Sequence, residues 1–133
     1  MDRTKLLLRM SALYGVIGAV LGSHMAASNA YAFRPVHAHI LVVGWLSLFA
    51  FAIYYRVFSI PKKSVLATIH IWTAIVGSFG LTVGMWLYNM KPIKGIETFN
   101  LLFFIIGGSL LIICFIVFLL MTFIQGRHLG EEK

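Results

Sequence analysis

TFNLLFFIIGGSLLIICFIVFLLMTFI, residues 98–124, is the stretch that decides the fold. It holds no acidic residue and is longer than the roughly 20 helical residues that cross a hydrocarbon core about 30 Å thick. Strands exposed to lipid would leave backbone groups unpaired, and the run is too long for a barrel strand, so it reads as a membrane-spanning helix. Three more apolar runs precede it, near 6–29, 36–58 and 65–89. Of 133 residues 60% are apolar and 11% charged. Four crossings consume most of such a chain, which predicts an all-α, integral membrane four-helix bundle forming one domain over residues 1–133.

The cations set the expected orientation. Arg3, Lys5, Arg9, Arg56, Lys62, Lys63, Arg127 and Lys133 fall on one side of the four spans, and Arg34, Lys91 and Lys94 on the other. The richer side is expected to be cytoplasmic, with both termini there. The net charge of +7 is then mainly a collar for anionic lipid headgroups, which explains it without nucleic acid. The basic start, apolar stretch and Ala30-Tyr31-Ala32 outline a signal peptide. The apolar stretch is too long for one and is interrupted by Ser23, His24, Ser28 and Asn29, so it reads as an uncleaved first helix. Cys114, alone within the fourth run, reads as a small apolar residue.

Small residues mark helix faces. Gly15, Gly18 and Gly22 in the first run, and Gly77, Gly80 and Gly84 in the third, repeat at three then four residues. Each set reads first as a helix-packing stripe and second as a smooth face for a flat ligand. The third-run stripe continues through Thr73 to His70.

Function enters with histidine. His24, His37, His39 and His70 lie within or at the ends of spans, where ionisable groups are costly and usually face a partner; His128, in the tail, carries no expectation. Successive helical residues turn by about 100°, so His37 and His39 project to nearly opposite sides. A pair built for one zinc ion would stand three or four apart. Opposed imidazoles suit two irons, or one iron and one supporting hydrogen bond. Counted from the run ends, His24 and His39 share a layer and His70 lies roughly 15 Å deeper. His70 therefore reads as a packed histidine bonded to a nearby carbonyl or hydroxyl. His24 reads equally as a ligand or as an imidazole reaching interfacial water.

Val36-His37-Ala38-His39, followed by Gly44 and ending in Tyr54-Tyr55-Arg56-Val57-Phe58, resembles the segment of haem-copper oxidase (cytochrome c oxidase) subunit I that carries its His-x-His pair. Thr68-Ile69-His70-Ile71-Trp72 with Gly77 is similar to the next oxidase helix. Gly84-Met85 and Met90-Lys91-Pro92-Ile93-Lys94 are similar to the outer loop whose basic pair holds haem propionates, with lysines in place of arginines. The resemblance covers roughly residues 34–95. It implies that His37 and His39 bind haem iron and that His70 does not. That subunit has twelve helices in three similar arcs, and one such arc is the length of this chain. The resemblance thus implies a homo-oligomer, a trimer by preference, with haem between protomers, His37 of one chain and His39 of the next as ligands, and Arg34, Lys91 and Lys94 on the propionates.

The copper-binding histidines and the tyrosine linked to one of them have no counterparts, so a complete oxidase is not expected. Two imidazoles saturate the iron, so the expected role is electron transfer or haem handling with a b-type haem, fed by a respiratory donor or acceptor. The expected location is a bacterial inner membrane, with the haem towards the outer face. Pairing of His24 with His39 inside one chain is a structural alternative. Two functional alternatives stand beside haem: a haem-free structural or assembly partner of a respiratory complex, and a small transporter, although no acidic residue lies in any span to relay protons.

Overall fold

The computed structural model describes residues 2–124 and is all-helical there. Arg127, His128 and Lys133 lie outside the described residues. Among the described residues, four helices are long and apolar enough to cross a membrane: Arg3–Ser28, Tyr31–Val57, Val65–Met90 and Glu97–Ile124. They are called first to fourth below.

Local chemistry sets their ends. The Asp2 carboxylate accepts from the Lys5 amide at 3.1 Å and caps the first helix, which stops at Asn29 in the left-handed region (φ 51°). The Ser64 hydroxyl accepts from the Ala67 amide at 3.2 Å and starts the third helix. That helix stops at Lys91, also left-handed (φ 46°), and Pro92 cannot continue it. The second helix begins five residues before the apolar run expected at 36. A 3₁₀ turn over Tyr31–Phe33 leads into it, and Pro35 sits in its first α-helical turn, where a missing amide hydrogen costs nothing. Between Ile40–Ser47 it widens to π geometry before resuming as α-helix at Leu48.

The two glycine stripes do pack helices, in different ways. Gly15, Gly18 and Gly22 of the first helix face Trp45, Leu41 and His37 of the second, so side chains fill the groove. Gly77, Gly80 and Gly84 of the third helix meet backbone atoms of Leu111, Gly107 and Phe104 in the fourth. A Cβ on Gly80 would stand 2.7 Å from Gly107 Cα, so here the two backbones themselves are in contact. The bundle is thus two close pairs. Phe51 of the second helix, Ile71 of the third and Cys114 of the fourth are buried where the pairs join.

Arg3 ties the ends of the first pair to the turn beyond it. Its guanidinium donates to the carbonyls of Pro61 at 3.0 Å and Lys62 at 2.6 Å. The chain start and the 58–64 turn therefore share one end of the bundle, and the turns after Ser28 and Met90 share the other.

Candidate functional site

The first turn of the second helix holds the His-x-His pair in ordinary α-helix, before the widening begins. His39 Nδ1 lies 2.8 Å from the carbonyl oxygen of Pro35, one turn earlier. A carbonyl only accepts, so Nδ1 carries a proton, and in the neutral ring the Nε2 lone pair is free. This is the tautomer and the ring restraint that a metal-ligating histidine needs. Arg34, beside it in sequence, lays its guanidinium 4.1 Å from the Tyr31 ring centroid.

His37 has a different setting. Its ring lies on Gly22 of the first helix, where an added Cβ would stand 2.8 Å from Cε1. Its Nδ1 is buried there without a hydrogen-bond partner. The pair thus separates as helical rotation requires: His37 enters the seam with the first helix, and His39, about 200° around, faces away from it, half-buried.

The Gly22–His37 contact also fixes His24. Two residues beyond Gly22, His24 is again about 200° around its helix, so it faces away from the second helix and is exposed. His24 and His39 therefore stand on opposite flanks of the first helix pair. Within one chain they do not converge on a common atom. Nor do they share a layer at the backbone. Each lies two residues from the contact in opposite senses, which separates them by about 6 Å along the bundle. Side chains lean towards their own helix N-terminus, and these helices are antiparallel, so the two imidazoles lean towards a common level.

A large apolar cleft, about 320 Å³, opens between the first, second and third helices, with Ile17, Leu21, Val36, Phe79, Val83 and Trp86 among its walls. His24 borders an adjoining depression that shares Ile17 and Leu21 with this cleft. His24 lines that adjoining depression, while Val36, next to His37 in sequence, lines the cleft itself. Lys91 and Lys94 lie exposed in the turn between the third and fourth helices. Lys91 lines a small cavity there with Tyr88, Glu97 and Asn100.

His70 is fully buried near the opposite end of the bundle. Its Nδ1 lies 2.9 Å from the Tyr55 hydroxyl, with the Phe51 ring edge-on at 4.5 Å and Phe118 stacked at 5.4 Å. The Tyr55 hydroxyl also lies 3.2 Å from the Ala67 carbonyl, to which it donates. His70 then donates from Nδ1 to the hydroxyl oxygen, which leaves Nε2, buried and unpartnered, as a bare lone pair rather than a stranded N–H. This is the packed, hydrogen-bonded histidine the sequence suggests. Its partner Tyr55 was not foreseen, although its place in the Tyr54-Tyr55 pair, fifteen residues before His70, is visible in the sequence.

Among the described residues, no three His, Cys, Asp or Glu side chains converge as a group that could hold a metal ion. No family model, curated protein or solved structure matches the chain.

Proposed function

We propose that this is an integral membrane haem protein in which His39 is an axial ligand, working in electron transfer or haem handling. The observation that carries the reading is the hydrogen bond from His39 Nδ1 to the Pro35 carbonyl, which orients the ring and bares Nε2. An imidazole restrained in this way in a span, where polar groups are expensive, has the form of a ligand rather than of a space-filling residue. The haem would be held without a pair of thioether attachments, which the lone Cys114 cannot provide, and a b type is the reading kept here. When bound, haem supplies a one-electron couple; the chain holds the iron through imidazole, excludes water with apolar walls, and sets the potential through ligand type and burial.

The same reading includes the finer placement. Both termini lie in the cytoplasm of a bacterial inner membrane, and His39 sits towards the outer face, because the cations favour the Arg3 end as the inner one. Arg34 is the cation best placed for a propionate, at the start of the helix that bears His39; Lys91 and Lys94 are further candidates. Resemblance to haem-copper oxidase subunit I supports a homo-oligomer, a trimer by preference, served by a respiratory donor or acceptor. His37, with its ring against Gly22, is the weaker ligand of the pair.

The buried, unpartnered Nδ1 of His37 favours one competing reading, a haem-free structural or assembly partner whose histidines only pack. Haem content separates the two. Full-length protein purified in mild detergent is expected to carry stoichiometric extractable haem, and a preparation free of haem that also fails to bind added haemin would support the structural reading.

A further inference from the structure

The surroundings of His39 leave its iron without a second imidazole from the same chain. His37 is turned into the seam with the first helix. His70 is buried at the other end and bonded to Tyr55. His24 is exposed, but on the opposite flank of the helix pair. Two donors on opposite flanks of one protomer, leaning to one level, meet only when copies stand side by side in head-to-tail order.

Resting on the haem reading above, we propose that the second axial ligand is His24 of a neighbouring copy, so that each haem lies at a heterologous interface between the His39 flank of one protomer and the His24 flank of the next. A head-to-tail interface closes into a ring where the rotation between copies closes, and membrane copies related by an axis along the bundle keep a common depth. Three features besides direction support His24. It is exposed within a span, where an imidazole without a partner is costly. It flanks the apolar depression of Val16, Ile17, Val20 and Leu21, which continues into the cleft walled by Phe79, Val83 and Trp86 and offers the flat apolar shelf a porphyrin needs. Its lean towards the first helix N-terminus closes the backbone offset from His39. The site is incomplete in any single chain.

Complementation tests this. His24→Ala and His39→Ala chains, differently tagged, are expressed separately and together, and full-length protein is purified through both tags. Each variant alone is expected to lose the six-coordinate low-spin spectrum, with His24→Ala keeping a five-coordinate haem that binds carbon monoxide. In a random one-to-one mixture both ligands meet at about one interface in four; purification through both tags removes the homo-oligomers, so for a trimer about a third of the wild-type low-spin absorbance returns. His24→Ala with an unchanged low-spin spectrum overturns the proposal and transfers the second ligand to His37. Loss in both variants without recovery in doubly tagged mixed oligomers also overturns it, since both ligands then belong to one chain. A wild-type protein that never binds haem instead defeats the underlying haem reading, a distinct outcome.

Discussion

His39 Nδ1 stands 2.8 Å from the carbonyl oxygen of Pro35, one helical turn earlier. The bond engages Nδ1 and leaves Nε2 as the ring's other nitrogen, while the ring of His37, two residues before, lies against Gly22. Two half-buried histidines of one short motif thereby acquire unlike partners: Nδ1 of one bonds a carbonyl, and Nδ1 of the other is buried without a partner.

His39→Met retains a donor atom but exchanges imidazole for thioether. The midpoint potential is expected to rise, because thioether ligation favours reduced iron. A redox titration followed in the visible region measures it, and an unchanged potential would mean that His39 is not on the iron.

Gly107→Ala is expected to disrupt the third–fourth helix pair. A Cβ there would collide with backbone atoms of Gly80 and Leu81, which cannot move aside without separating the helices. Overpacking of this kind costs about 1–3 kcal/mol or more. The neighbouring Gly108→Ala meets only the Leu81 side chain, at 3.6 Å, and should be close to neutral. Thermal unfolding of both variants in the same detergent compares them.

Tyr55→Phe removes the hydroxyl that accepts from His70 and leaves Nδ1–H buried without a partner. A loss of about 1–3 kcal/mol is expected. The haem spectrum should not change, because His70 lies at the opposite end of the bundle from His39. A shifted spectrum would show that His70 communicates with the iron.

Ser11→Ala deletes the bond from the Ser11 hydroxyl to the Trp45 carbonyl, 2.9 Å long, which holds the first helix to the widened part of the second. About 0.5–1.5 kcal/mol should be lost. Hydrogen exchange at the Ile40–Ser47 amides should accelerate relative to the third helix.

Much of this arrangement was legible in residue order, and the illegible parts share a cause. Apolar run length placed the four helices within a few residues, except at the start of the second, where Tyr31–Phe33 form a 3₁₀ turn before the apolar run begins. Helical rotation sets His37 and His39 about 200° apart, and the glycine spacing foretold two packed stripes. Rotation gives an angle between side chains but not which neighbour each one meets. That His37 is the one against the first helix depends on Gly22 leaving room for its ring. The shared layer expected for His24 and His39 became an offset of about 6 Å for the same reason, since the Gly22–His37 contact, not the helix ends, sets the register. The π segment left no trace in the sequence: its residues are as apolar as any α-helical span, and the Tyr14 ring on Gly44 and the Ser11 bond to Trp45 come from another helix. Buried His70 was legible, but its tyrosine partner was not, because pairing across two helices carries no local spacing rule.

The most direct measurement is the oxidised and reduced visible spectrum of full-length protein beside its His39→Ala and His70→Ala variants. Sharp reduced bands in the wild type and in His70→Ala, absent from His39→Ala, are the expected result. A colourless wild type, or bands that survive His39→Ala unchanged, would contradict the assignment of His39 as an axial ligand.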